Sequence, residues 1–163
     1  MNYKNSFSRA QSFWLVVLRL LVGWHFLYEG ISKILNPSWS AYPYLMDSDG
    51  FLADFFKGIA GNPELLTVIN YINIYGLTLV GLGLILGCFA TVASIGGILF
   101  LIMYYLSHPP FIGAEFMMPT EGSYLWIDKN IIEIAVLIVL ICFPTSKIFG
   151  FDALIFKKNK NVQ

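Results

Sequence analysis

The fold of this chain is decided by residues 65–106, which read LLTVINYINIYGLTLVGLGLILGCFATVASIGGILFLIMYYL. No Asp, Glu, Lys or Arg occurs between Glu64 and Glu115. One membrane-spanning helix needs about 20 apolar residues. The uncharged segment is much longer than that, so it predicts two spans, at about 66–86 and 89–106, joined by a tight turn.

The composition supports a membrane protein. Hydrophobic residues make up 57% of the chain and charged residues 12%, whereas soluble domains average about 45–50% and about 25%. The formal net charge of zero gives no reason to expect nucleic acid binding. The two cysteines, Cys88 and Cys142, form no CxxC motif and are expected to be buried free thiols.

Two further apolar segments complete the predicted bundle, at about 13–35 and 130–149. The predicted fold class is therefore an all-α integral membrane protein with a four-transmembrane-helix bundle. We expect a single transmembrane domain over residues 1–155, followed by a basic cytoplasmic tail at 156–163.

The long loop between the first two spans contains a further helical pattern. Its apolar residues recur at helical spacing, and Ser48 and Asp49 precede them as candidate caps. The pattern predicts a short amphipathic helix that lies in the extracytoplasmic membrane interface. Its apolar positions are Phe51, Leu52, Phe55, Phe56 and Ile59.

The distribution of basic residues predicts the orientation. Most of them lie near the two chain ends, which a four-span topology places on the same side. By the positive-inside rule, both termini are expected in the cytoplasm, and the chain is expected to be a multi-pass protein of the cytoplasmic (inner) membrane. These residues are Lys4, Arg9, Lys147, Lys157, Lys158 and Lys160.

The first span carries four ionisable residues: Arg19, His25, Glu29 and Lys33. At 100° per residue they share a sector of about 120° on one helix face. Charged groups at membrane depth are costly and usually face a protein interior or mark a functional site. Glu29 and Lys33 also have the i,i+4 spacing that favours an ion pair.

We therefore predict a polar pocket in the outer half of the bundle that holds a quinone headgroup or a small anion and relays protons. A structural alternative stays open, in which Glu29 and Lys33 neutralise each other and Arg19 reaches the cytoplasmic headgroups. The candidate catalytic residues are Glu29, Lys33 and Glu133, and the candidate ligand-binding residues are Arg19, His25, Asn130 and His108.

No haem, flavin or metal motif is visible. The chain has two histidines, and counting along the helices places His25 deeper in the membrane than His108, which disfavours a bis-histidine haem. A metal site would need several clustered ligands. A quinone is the cofactor that suits a pocket with a protonatable acid and a basic partner, because its reduction takes up two protons with two electrons.

Three segments resemble the DoxX family. The resemblance implies a four-helix membrane protein, and relatives include the small subunit of thiosulfate:quinone oxidoreductase and a terminal-oxidase-associated subunit. It further implies a quinone-linked redox subunit. Because no flavin, haem or iron-sulfur motif is visible, the electrons are expected to come from another membrane or redox protein. The segments are Arg19…Gly23…Phe26…Glu29-Gly30…Lys33, then Gly76…Gly81-Leu82-Gly83…Gly87, then Asp128-Lys129-Asn130…Glu133 with Gly150-Phe151-Asp152.

Two other functions remain open. A non-catalytic assembly or anchoring subunit would bind other membrane proteins through small-residue helix faces such as those of Gly83 and Gly97. A small-solute transporter is also compatible with membrane carboxylates, although no inverted repeat is visible.

Overall fold

The computed structural model describes residues 7–111, 116–117 and 125–158, and every regular element in this part of the chain is helical. Four segments are long and apolar enough to cross a membrane, namely α1, α4, α5 and the segment from the start of α6 to Lys147. The predicted four-helix membrane bundle is confirmed. The helices are α1 (Arg9–Ile34), α2 (Tyr42–Met46), α3 (Ala53–Ala60), α4 (Pro63–Leu86), α5 (Ala90–Ser107), α6 (Lys129–Cys142) and α7 (Phe151–Lys158).

Local sequence signals set the limits of the long helices. Ser8 and Gln11 form a reciprocal capping box at the start of α1. The side chain of Asn62 caps α4 by accepting hydrogen bonds from two backbone N–H groups. At its other end α4 stops at Gly87, whose φ of 62° lies in the left-handed region that glycine adopts without strain. The α4–α5 turn therefore falls where the sequence predicts it.

The two ends of the bundle differ in what they contain. The α4–α5 turn lies beside the last helix, since the N–H of Asp152 donates to the carbonyl of Gly87. The N-terminal segment joins this end through an edge-to-face contact of Phe7 with Phe143. We call it the terminal end, and the opposite end, where residues 35–62, 108–111 and 125–128 lie, the loop end.

The helices do not pack equally tightly around the bundle. Helix α1 packs mainly against α4, and α5 mainly against α6, whereas α1 meets α6 only lightly. The central core includes the fully buried Leu77, Leu84 and Leu137. We call the lightly packed contact between α1 and α6 the α1–α6 seam.

The last span differs from the predicted 130–149. Helix α6 ends at Cys142, and a 3-10 turn follows at Thr145–Lys147. Pro144 explains the break, because proline has no N–H to continue the helical ladder and disfavours helical geometry in the residue before it. Helix α7 then covers the start of the predicted tail, and residues 159–163 lie outside the described part of the chain.

The short helix between the first two spans is α3, but its start differs from the predicted one. Its first residue is Ala53, and no side chain caps it. Ser48 instead shares a hydrogen bond of 2.5 Å with Ser107 at the end of α5. The predicted apolar positions also differ in environment, since Phe56 is buried while Phe55 is exposed.

Replacing Gly81 with alanine tests the close approach of α1 and α4. A Cβ atom at this position would collide with the backbone nitrogen of Leu27. We expect a loss of about 1–3 kcal/mol in the free energy of unfolding, measured by thermal unfolding in detergent. Gly58→Ala is the matched control, since nothing lies within 4 Å of a Cβ there. Equal stability of the two variants would contradict this packing.

Candidate functional site

The central feature of the site is a contact between His25 of α1 and Glu133 of α6. The imidazole Nδ1 lies 2.5 Å from the carboxylate Oε1. The side chains are 38% and 18% exposed, respectively. The second oxygen of Glu133, Oε2, is buried and has no hydrogen-bond partner among the described residues. The carboxylate therefore has one buried oxygen whose hydrogen-bonding capacity is unused.

A second pair lies further along α1. The ammonium of Lys33 is 2.6 Å from Oε2 of Glu29 and 3.1 Å from its carbonyl oxygen. It also lies over the ring of Trp39, 5.4 Å from the centroid. The ion pair predicted from the i,i+4 spacing is present.

The two pairs belong to one electrostatic cluster, which we call the seam cluster. Glu29 interacts electrostatically with His25 and also with Lys129 at the start of α6. The cluster combines two carboxylates, two lysine side chains and one imidazole. The seam cluster consists of His25, Glu29, Lys33, Lys129 and Glu133.

The α1–α6 seam is held together by few contacts. Helix α1 makes few contacts with α6, and the one hydrogen bond or ion pair between their side chains in the described residues is that of His25 with Glu133. The imidazole of His25 is 38% exposed beside this contact.

Counting along each helix does not show that these two residues meet. His25 lies nine residues before the end of α1, which is about 13 Å, whereas Glu133 lies four residues into α6, which is about 6 Å. Their contact requires α6 to begin several ångströms deeper than α1 ends. Helix α6 has only 14 residues, so its first residue can lie deeper in the bundle than the loop end does.

One comparison identifies the family of this protein. A family model for DoxX matches residues 14–109, which is more than half of the chain. The chain belongs to the DoxX family. The match includes all of α4 and most of α1, and it ends before α6, which carries Glu133. Comparison with curated proteins and with solved structures gave no match.

Asn130 lies at the start of α6, outside the part matched by the DoxX model. Its side-chain amide donates to Asp128 at 2.6 Å, and Asp128 caps the helix by accepting from the N–H of Ile131. Asn130 thus helps to fix the first turn of α6, and Glu133 follows directly after that turn. A direct contact of Asn130 with a ligand remains a prediction.

His108 lies in a different cluster of this DoxX protein, at the loop end. Its ring stacks on Tyr44 at 4.0 Å and lies 4.6 Å from the ring of Phe116. The Nε2 atom is 3.7 Å from Oδ2 of Asp47, and Nδ1 is 3.1 Å from Oγ of Ser107. The structure therefore places His108 beside Asp47, where it joins the two long loops.

Burial lowers the pKa of His108, and the nearby Asp47 and Asp49 oppose this effect. A histidine with a lowered pKa in the folded state destabilises the fold as the pH falls below about 6.5, because the unfolded chain then binds the proton more readily. We expect His108→Gln to reduce this acid sensitivity, measured as thermal unfolding against pH. Identical pH dependence in both proteins would contradict the expectation.

Arg19 lies near the terminal end, away from the seam cluster. Six residues separate it from His25, the nearest member of the cluster on α1, or about 9 Å along the helix. Its side chain is 4% exposed. The guanidinium donates to the carbonyl of Phe149 at 2.8 Å and to Oγ1 of Thr145 at 3.4 Å. These contacts tie α1 to the segment after α6, so Arg19 has a structural role in the observed geometry.

Asp152 is an important residue beside Arg19 whose role the sequence does not reveal. Its carboxylate accepts from the N–H groups of Phe89, at 2.8 Å, and Ala90, at 3.2 Å. It therefore satisfies the first N–H groups of α5 from a distant part of the chain. In the sequence, the one signal for Asp152 is its place in the Gly150-Phe151-Asp152 segment that resembles the DoxX family.

The described residues contain no group of three or more His, Cys, Asp or Glu side chains placed to hold a metal ion. Cys88 is partly buried and Cys142 is exposed, and both are free thiols. The expectation that both are buried is therefore wrong for Cys142, which lies at the end of α6. The chemistry that the observed seam cluster supports is proton exchange and hydrogen bonding.

Proposed function

We propose that this DoxX protein is a quinone-linked redox subunit of the cytoplasmic (inner) membrane, which receives a quinone headgroup at the α1–α6 seam. The observation that supports it most directly is the His25–Glu133 pair with the unpaired Oε2 atom of Glu133. Ionisable groups at this depth are costly unless they are paired, and they commonly mark ligand or proton pathways.

The chemistry of the seam cluster suits a quinone. Reduction of a quinone to a quinol takes up two electrons and two protons, and the ring carbonyls are the atoms that become protonated. In the proposal, protonated His25 donates to one carbonyl and Glu133 holds the imidazole in place. Glu29 and Lys33 exchange protons with the aqueous loop end. The electrons come from a partner protein that carries a redox centre.

The distribution of charge supports an orientation for this site. Arg9, Lys147 and the lysines of α7 lie at the terminal end. The positive-inside rule then puts that end in the cytoplasm and the loop end outside. The seam cluster would take up and release protons towards the extracytoplasmic side.

A binding experiment tests this proposal. The full chain, purified in a mild detergent, is titrated with a short-chain quinone, and the increase in melting temperature is measured. Glu133→Gln should weaken binding about 10- to 100-fold, since it removes a charged hydrogen-bonding partner. The matched control is Glu64→Gln, an exposed acid in the first turn of α4. Absence of stabilisation by any quinone, or equal effects of both variants, would contradict the proposal.

One observation favours assembly as a second candidate function. A groove of about 590 Å³ runs between α4 and α5, and its lining is almost entirely apolar. Of the two glycines first considered for this role, Gly97 packs inside the chain, because a Cβ there would meet Leu137 and Phe26. Gly83 lines the groove, although a Cβ there would also meet Ala93. A membrane partner that co-purifies with the wild type but not with Val92→Arg, in the groove wall, would support assembly.

A further inference from the structure

We propose that the terminal end binds one anionic phospholipid in a groove between α1 and the segment that follows α6. The proposal concerns the opposite end of the bundle from the seam cluster and does not depend on quinone chemistry. The groove has a volume of about 430 Å³, within the roughly 300–1,000 Å³ of pockets that hold small ligands. It is lined by Phe7, Arg9, Ser12, Phe13, Val16, Ile148 and Phe149.

The groove has the shape of an amphipathic site. Arg9, Ser12, Phe13 and Val16 occur at i, i+3, i+4 and i+7 on one face of α1, so the polar atoms lie at the start of the helix and the apolar ones deeper. Phe149 forms part of the opposite wall. A phosphate would lie beside the arginine and hydroxyl groups, and an acyl chain would extend along the apolar part.

The charges at this end favour an anionic headgroup. Arg9 has no ion-pair partner among the described residues, and the first turn of α1 contains no acidic residue. Lys147 is exposed and directly precedes Ile148 of the groove wall. Basic pockets beside membrane helices bind anionic lipid headgroups through such groups.

The local acid is buried and hydrogen-bonded to the backbone. Asp152 is the one acidic residue in 7–16, 86–91 and 142–158. Its side chain is 4% exposed, and both oxygens accept hydrogen bonds from the N–H groups of Phe89 and Ala90. The exposed charge around the groove is therefore positive.

The protein surface beside the groove is apolar and exposed, as a lipid-binding site requires. Phe149 is 56% exposed, and Phe151 and Leu154 of α7 are 51% and 66% exposed. Exposed apolar groups beside basic residues are typical of segments that lie in the headgroup boundary. This arrangement distinguishes a lipid from a soluble anion, which would gain nothing from the apolar wall.

The test is native mass spectrometry of the full chain in neutral detergent with added phosphatidylglycerol or phosphatidylcholine. We expect retention of phosphatidylglycerol in preference to phosphatidylcholine, and binding about fivefold weaker in Arg9→Gln. Val16→Trp keeps the charges but fills the groove, and it should also lose the lipid. Lys57→Gln, in α3 at the loop end, is the control and should bind as the wild type does.

Three outcomes would overturn the proposal. Equal retention of the two lipids would remove the role of headgroup charge. Retention of phosphatidylglycerol by Val16→Trp would show attraction to surface charge without use of the groove. If Lys57→Gln lost as much phosphatidylglycerol binding as Arg9→Gln, the binding would not be specific to the terminal end. Size-exclusion profiles and lipid-free melting temperatures of each variant verify that the fold is kept.

Discussion

Replacing His25 with leucine is expected to lower the free energy of unfolding by about 1–3 kcal/mol. The substitution leaves the carboxylate of Glu133, which is 18% exposed, without the hydrogen bond to its Oε1 atom. The upper range for breaking a fully buried pair does not apply, because the imidazole is 38% exposed. The measurement is thermal or denaturant unfolding in detergent.

The double variant His25→Leu/Glu133→Leu separates stability from function. Replacement of both partners by apolar groups removes the unpaired charge, so stability should return close to that of the wild type. Quinone binding should not return, because the proton donor and the carboxylate are both gone. A double variant that is as unstable as the sum of the two single variants would show that the pair does not interact as described.

Replacing Arg19 with leucine is expected to cost about 2–4 kcal/mol of the free energy of unfolding. The guanidinium is 4% exposed, and its loss leaves the carbonyl of Phe149 without this donor. It also leaves a space beside Gly87, because a Cβ atom added to this glycine would lie 3.1 Å from an Arg19 side-chain nitrogen. Thermal unfolding in detergent measures the loss.

A local readout distinguishes this effect from general destabilisation. Because Arg19 holds the segment after α6, limited proteolysis of the Arg19→Leu variant should cut residues 143–158 faster than the rest of the chain. Lys57→Gln is the control, since Lys57 lies in α3 at the loop end, away from this segment. Unchanged cleavage of this segment would contradict the proposed role of Arg19.

The sequence predicts the features of this protein that depend on local patterns. The uncharged run of residues 65–106 determines a helical hairpin, because a bilayer accepts few other structures. The ion pair of Glu29 with Lys33 follows from one turn of a single helix. Gly87 ends α4 as a glycine with positive φ does.

The features that the sequence does not predict are contacts between residues far apart in the chain. His25 and Glu133 are 108 positions apart, and their contact requires the offset of α6 relative to α1, which no periodicity reports. Arg19 meets partners 126 and 130 positions away. Ser48 has the composition of a helix cap, yet its hydroxyl pairs with Ser107. Tertiary packing outcompetes the local preference there.

Photolabelling tests the central claim, that the α1–α6 seam binds a quinone, most directly. A photoreactive short-tail quinone is added to the full chain in lipid vesicles, irradiated, and located by peptide mass spectrometry. We predict labels on α1 around His25 and on α6 around Glu133, lost on addition of excess unlabelled quinone and in Glu133→Gln. Labels confined to the groove between α4 and α5, or labels that excess quinone does not displace, would contradict it.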